Sequence, residues 1–199
     1  MQTALCLLML VLAVASCGAQ EVAPPPPAEA EPPVRAFVRP KVPVALFTHD
    51  KTALLEPECE RIATFLARYA AEKYTAGVLR GEASARAQGR LLLTISQHLQ
   101  PLNASAIHVG LHWLDGREPN LPPPGEDLHL FAAFLLSAAQ RQADKPAPTR
   151  ETLARIFIRL AADLDPQNED AVYASEHQDH DGKAPPLREL LAGTLGKGW

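Results

Sequence analysis

The sequence predicts an all-α body, and three observations lead to that prediction. After residue 54, apolar residues recur at i, i+3, i+4 and i+7, which is the spacing of one α-helix face. Residues that start and stop helices separate these apolar stretches. Alternation typical of a strand occurs only from Val42 to Phe47, which we predict to be an edge strand or a docked arm.

The first predicted helix begins at Glu56-Pro57-Glu58, where Pro occupies a first turn between two acids. Its apolar face carries Ile62, Phe65, Leu66 and Tyr69. We expect a loop from Tyr74 to Glu82. The second helix, Ala83 to Leu99, turns Leu91, Leu92, Ile95 and Leu99 inward, and Pro101 ends it.

The third predicted helix starts near Asn103 and stops before Asp115. We predict a Pro-rich loop from Gly116 to Asp127, because its several Pro and Gly residues disfavour a helix. Four helices complete the body in this prediction: Leu128–Gln142, Thr149–Leu164, a short one from Asn168 to about Gln178, and a closing one from Pro186 to Leu195.

Charge and composition exclude several functional classes. The 199 residues include 19 Lys and Arg against 23 Asp and Glu, a net charge of −4. Without a basic surplus to displace counterions from phosphates, nucleic acid is not an expected partner. The three Cys exclude a disulfide framework, and an apolar content of 47% is enough for a sizeable core.

The N-terminus has the pattern of an export signal. Ala4 to Ala15 is a run of twelve apolar residues, too short to span a bilayer as a helix but typical of a signal peptide. The run ends in Val14-Ala15-Ser16-Cys17, which resembles the lipobox of bacterial lipoproteins. That resemblance implies cleavage before Cys17, lipid on Cys17 and, in Gram-negative bacteria, an outer-membrane anchor facing the periplasm.

One feature departs from the lipoprotein pattern, because Met1-Gln2-Thr3 contains no Lys or Arg. The alternative is an ordinary signal peptide cut near Ala15 to Ala19. Once Cys6 leaves with the signal and Cys17 carries lipid, Cys59 is the remaining thiol. Its carboxylate neighbours would raise the pKa of Cys59, so we predict a buried structural cysteine.

Three regions are therefore predicted. Residues 1–16 form the signal peptide, 17–53 a lipid-anchored Pro-rich linker, and 54–199 a helical repeat-like domain. Eight Pro between Pro24 and Pro43 favour a disordered, extended stalk of polyproline II character. We expect it to hold the body away from the membrane; a Pro-rich ligand for another domain is the alternative.

An internal repeat appears at an offset of 65 residues. Arg90-Leu91-Leu92-Leu93 aligns with Arg155-Ile156-Phe157-Ile158, and Leu99-Gln100-Pro101-Leu102-Asn103 aligns with Leu164-Asp165-Pro166-Gln167-Asn168. Pro stops one helix and Asn caps the next in both copies. We predict that residues 88–108 and 153–173 share one conformation: helix, turn, helix start.

The second copy, Ala161 to Ala171, resembles the junction between tetratricopeptide repeats. In that family a helix ends in Ala-x-x-Leu-Asp-Pro, and Asn and Ala open the next helix. The small residue Ala154 also falls at a position the family keeps small. The resemblance covers the two junctions and not complete repeats. It implies an irregular, α-solenoid-like array of helical hairpins, and the alternative is an unrelated small helical bundle. The predicted junction residues are Leu99, Pro101, Asn103, Leu164, Pro166 and Asn168.

Two histidine pairs are the candidate metal ligands. His108 and His112 lie four residues apart on one predicted helix, a spacing that lets both reach one ion, and His177 and His180 lie among acids. All four could hold Zn²⁺ if the two copies of the repeat faced each other. The alternative is that His108 and His112 lie on a helix surface and the second pair in a solvated turn.

The predicted function is a membrane-anchored scaffold for an unidentified protein partner, with no enzymatic activity and no cofactor. Helical arrays of this kind present a surface to peptides and proteins. The alternative is a His-based metal-binding protein or an enzyme of unknown substrate.

Overall fold

The structure is a computed structural model that describes residues 45–144 and 147–185. Within these ranges lie six α-helices: α1 (Glu56–Arg80), α2 (Ala83–Leu99), α3 (Ala104–Leu114), α4 (Leu128–Ala143), α5 (Pro148–Leu164) and α6 (Glu169–His180). The described ranges contain no β-strand, so the all-α prediction is confirmed. None of their helices is long and apolar enough to cross a bilayer. The signal peptide, Cys17 and the predicted closing helix Pro186–Leu195 lie outside the described residues.

The helix starts follow the capping residues of the sequence. Asn103 and Asn168 each accept a hydrogen bond from the backbone three residues on, at the first turns of α3 and α6. Asp127 caps α4 in the same way. At α1, Pro57 occupies the first turn, and the Glu58 carboxylate accepts the Leu55 N–H at 2.9 Å. Local sequence therefore determines where these helices begin.

The predicted loop from Tyr74 to Glu82 is wrong, because α1 continues to Arg80. Its last turns pack on α2, and Gly81, with a φ of 69°, makes the reversal between the two helices. A Cβ on Gly89 would lie 2.9 Å from the Ala70 carbonyl oxygen, and one on Gly77 would lie 2.9 Å from the Ala85 Cβ. These glycines allow α1 and α2 to cross in close contact. The contact with α2 stabilises the last turns of α1, so the helix continues beyond Tyr74.

The second predicted loop, Gly116 to Asp127, is confirmed as non-helical. It carries the chain from the end of α3 to the start of α4. Leu121 packs against the core from this loop. The Arg61 side chain on α1 pairs with Glu126 at 2.6 Å, so the C-terminal end of the loop is held on the body.

The segment before α1 is a docked arm. Residues 45–47 form no strand, and the Phe47 N–H donates to the His98 carbonyl oxygen at 3.1 Å, at the end of α2. The Phe47 ring is buried and meets the His98 ring edge-on. The Ala53 N–H donates to the buried Gln142 side chain on α4 at 2.9 Å. One arm thus contacts two helices far apart in sequence.

The 65-residue repeat is confirmed as a repeat of local structure. Helices α2 and α5 each have 17 residues, and they start 65 positions apart. After each of them, Gln100 and Asp165 donate their N–H groups to Ser96 and Ala161, and Asn103 and Asn168 follow with the same turn bonds. Residues 88–108 and 153–173 therefore share one helix, turn and helix start. Helices α1–α3 are the first unit, and α4–α6 are the second.

The two units meet through α1 and α4. The Phe65 and Phe131 rings stack with centroids 3.6 Å apart, and the Arg61 guanidinium lies 4.4 Å from the Phe134 ring centroid. Glu58, near the start of α1, pairs with Arg141 near the end of α4 at 2.7 Å. Helices α1 and α4 are therefore antiparallel, whereas repeats stacked by translation along one axis would keep equivalent helices parallel.

The Gly89 contact generates the first prediction. Gly89→Val should destabilise the body by about 1–3 kcal/mol, because the new side chain meets backbone of α1 that cannot rotate away. Urea unfolding followed by far-UV circular dichroism measures the change. Gly125→Val is the control, since a Cβ there meets no atom within 4 Å. Equal stability of the two variants would show that α1 and α2 are not in close contact at Gly89.

Candidate functional site

The outer face of α6 is the candidate interaction surface, and we call it the α6 surface. Its exposed residues are Glu169, Asp170, Tyr173, Glu176, His177, Asp179 and His180. Only Ala171 and Ser175 of the helix are buried, so α6 touches the body along a narrow strip. Tyr173 is 70% exposed, which is unusual for so large a ring. Asp170 and Glu176 lie three residues before and after Tyr173, on the same side of the helix.

Basic residues already neutralise part of this acidic region. Asp179 pairs with Arg159 of α5 at 3.2 Å. Asp181 accepts a hydrogen bond from Lys183, and that bond lowers the pKa of Asp181. Among the described residues, no ion pair joins Asp170 or Glu176 to a cation. The negative charge around Tyr173 is therefore presented to solvent.

The four candidate histidines are not brought together. The His108 and His112 rings stack with centroids 4.2 Å apart on α3. On α6, His177 lies 6.2 Å from the Tyr173 ring and, like His180, close to Asp181. The described part of the chain contains no group of three or more His, Cys, Asp or Glu side chains that could hold a metal ion. The single site built from both pairs is thus not formed by this arrangement.

The two histidine pairs belong to different structural settings. The His112 ring nitrogen Nδ1 lies 3.2 Å from the Glu118 carbonyl oxygen, at the start of the Pro-rich loop. In the second unit, Tyr173 and His177 occupy the positions equivalent to His108 and His112. The repeat therefore places an aromatic ring pair on α3 and another on α6. The 65-residue offset of the sequence already aligns these two ring pairs. The sequence prediction instead grouped the residues by type, as four histidines.

Cys59 is the buried structural cysteine that the sequence predicts. Its side chain is 1% exposed and lies in the core. Burial, and then the neighbouring carboxylates of Glu58 and Glu56, raises the pKa of the Cys59 thiol to about 11. A thiol in this state is a poor nucleophile.

The six junction residues hold the helical turns together. Leu99 and Leu164 are buried at the ends of α2 and α5, and Asn103 and Asn168 cap the helices that follow. Asn103 also donates to Glu60 and to Thr64 on α1, at 2.9 and 2.8 Å. Pro101 and Pro166 lie in the turns between them. Their arrangement is structural.

Asp165, inside the second junction, makes an interaction that sequence reasoning missed. This carboxylate is buried, yet it lies 2.9 Å from Nδ1 of the exposed His129, at the start of α4. The hydrogen bond that His129 donates to Asp165, and then the negative charge of Asp165, raise the pKa of His129. No motif joins two residues so far apart in sequence, so only the antiparallel packing of α4 and α5 reveals the pair.

Comparison with known proteins gives no relative. No family model matches the chain, and no curated protein or solved structure matches it.

The Asp165–His129 pair makes stability depend on pH. Because the pKa of folded His129 is raised, its contribution is complete below the unfolded value of about 6.5. The contribution is then lost as pH rises through the folded pKa. His129→Gln should therefore cost more stability at pH 6 than at pH 8 in urea unfolding. In an Asp165→Asn background, the same substitution should cost equal amounts at both pH values, and a persisting difference would assign the effect to another group.

Proposed function

We propose that this protein is a lipid-anchored protein of the bacterial cell envelope that binds a protein partner without catalysing a reaction. The single observation that carries the binding proposal is the α6 surface, where an exposed aromatic ring lies between two exposed carboxylates. Aromatic rings are enriched at protein interfaces, because they bury a large area for few rotatable bonds.

The chemistry of the α6 surface selects the kind of partner. Carboxylates flanking an aromatic ring favour Lys or Arg, which can pair with the acids and lie over the ring. From Thr149 onward the chain carries six basic and nine acidic residues, so its C-terminal part is net negative. A basic segment on the surface of another envelope protein is therefore the proposed ligand. Such binding weakens as salt concentration rises.

The anchor and the location rest on the N-terminal sequence. The resemblance of Val14-Ala15-Ser16-Cys17 to a lipobox supports lipid on Cys17 and a place at the outer membrane, facing the periplasm. About twenty residues of Pro-rich linker at about 3.1 Å each would span about 60 Å. In this proposal the linker carries the body from the membrane to its partner.

The anchor is tested by substitution at the lipid acceptor. Cys17→Ser should move the exported protein from the membrane pellet to the soluble fraction, because it removes the sulfur that carries the diacylglycerol. Fractionation with immunoblotting measures this, and radiolabelled palmitate should enter the wild type alone. Wild-type protein that is soluble after export would support the alternative, an ordinary signal peptide.

The α6 surface is tested by charge reversal. Glu176→Lys and Tyr173→Ala should each reduce recovery of the same partner in a pull-down from native membranes, and high salt should reduce recovery by the wild type. His108→Ala is the matched control, since His108 is equivalent to Tyr173 in the first unit. Recovery that none of these changes affects would exclude the α6 surface as the binding site.

A further inference from the structure

The reversal between α1 and α2 carries an exposed set of apolar and basic residues. Val78 and Leu79, in the last turn of α1, are 45% and 76% exposed. Arg80 follows them and is also exposed. Arg86 and Arg90 are exposed on the first two turns of α2. We call these five residues the hairpin tip.

Contacts between the two helices bring the arginines of α2 to the same end of the hairpin. A Cβ on Gly77 would lie 3.1 Å from the Arg86 Cγ, so the stem of this arginine lies against α1 one residue before Val78. The Arg90 guanidinium carbon lies 5.9 Å from the ring centroid of Tyr74, one turn earlier in α1. The hairpin tip is therefore one region of the first unit.

The charge of the hairpin tip is not balanced by ion pairs. Among the described residues, no carboxylate pairs with Arg80, Arg86 or Arg90. Residues 78–90 contain three Arg and one Glu, so the region is net positive. Arg86 and Arg90 lie four residues apart on one helix, a spacing at which like charges repel and destabilise the helix. A bound anion would relieve that repulsion.

The second unit supplies an internal comparison. Sixty-five residues on, an alanine and an aspartate replace the two exposed apolar residues of the tip. The position of Arg86 is taken by Glu151, which pairs with Arg155 at 3.5 Å. Arg155 is the equivalent of Arg90. The second unit therefore has an ion pair where the first unit has two repelling arginines, and an anionic ligand specific to the first unit accounts for the difference.

We propose that the hairpin tip docks on the surface of a lipid bilayer that contains anionic phospholipid. The surface charge of such a bilayer attracts arginines, and exposed aliphatic side chains can enter the boundary between headgroups and acyl chains. The tip is the end of a helical hairpin and not a groove. None of its five residues is aromatic, although aromatic rings are enriched where proteins bind one another. These two properties favour a bilayer over an acidic protein.

A bilayer contact of this kind would suit a body that is tethered to a membrane. Under the proposed anchor, the linker keeps the bilayer within reach, so a weak contact made by few residues is sufficient. The hairpin tip shares no residue with the α6 surface, which belongs to the second unit. The bilayer contact does not itself require lipid on Cys17, and it can be tested without the anchor.

Binding to vesicles tests the proposal. The protein used begins at residue 17 and carries Cys17→Ser, so that no lipid anchors it. It should sediment with vesicles of phosphatidylglycerol and phosphatidylcholine but not with vesicles of phosphatidylcholine alone, and high salt should weaken the binding. Leu79→Ser should reduce the ratio of bound to free protein about fivefold. Leu130→Ser is the matched control, because Leu130 is 72% exposed in the second unit, and it should leave binding unchanged.

Arg86→Glu separates vesicle binding from stability. Glutamate keeps the Cγ that lies against Gly77, and it places an acid four residues before Arg90, as in the second unit. The variant should therefore unfold at a urea concentration at least as high as the wild type. Its ratio of bound to free protein should nevertheless fall about tenfold, because the tip loses two units of positive charge. Arg80→Glu repeats the binding test if Arg86→Glu lowers stability.

Three results would overturn the proposal. Equal binding of the wild type to the mixed and the neutral vesicles would show that anionic lipid is not recognised. Equal losses in Leu79→Ser and Leu130→Ser would show that the contact is not made by the hairpin tip. No binding to either kind of vesicle, with a protein crosslinked to the tip in native membranes, would identify a protein as the ligand instead.

Discussion

The stack of Phe65 on Phe131 is the contact on which the rest of the architecture depends. Each unit can form its own hairpin from local signals, but a hairpin alone leaves one apolar face of its first helix in water. The two rings, 3.6 Å apart between centroids, close those faces against each other. Arg61 over Phe134 and the Glu58–Arg141 pair surround the stack and set an antiparallel direction. One core therefore serves both units.

The arm and the glycines adapt the rest of the chain to that core. Gly77 and Gly89 let α2 lie close against α1, so that α1 can extend for 25 residues and contact α2, α3 and α4. The arm contributes Phe47 and Leu54 to the same core, and its Ala53 N–H reaches Gln142 across the two units. The described arm, residues 45–55, thus contacts helices of both units.

The two units share local backbone structure but differ in surface chemistry, and the proposed function rests on that difference. At equivalent positions the first unit carries an apolar stripe on α3, and the second carries acids around an exposed tyrosine on α6. Helices that share the same starts and turns therefore carry two different surfaces. Our proposal of a basic partner rests on the second of these surfaces.

The sequence by itself determined the helices, their caps and the repeat, because Pro, Asn and the apolar period act over a few residues. It predicted the buried Cys59 from the acidic residues beside it, and it located the junctions from Leu99 to Asn103 and from Leu164 to Asn168. The prediction of a loop from Tyr74 to Glu82 was wrong. Gly77 is typical of a loop when the sequence is read alone, but here it lies inside α1, where α2 is too close for a side chain. Only the tertiary structure decided that α1 and α4 are antiparallel, that Asp165 meets His129, and that the four histidines stay apart. Those outcomes depend on contacts between residues distant in sequence. The pattern of a single sequence does not show which distant residues lie close together in space.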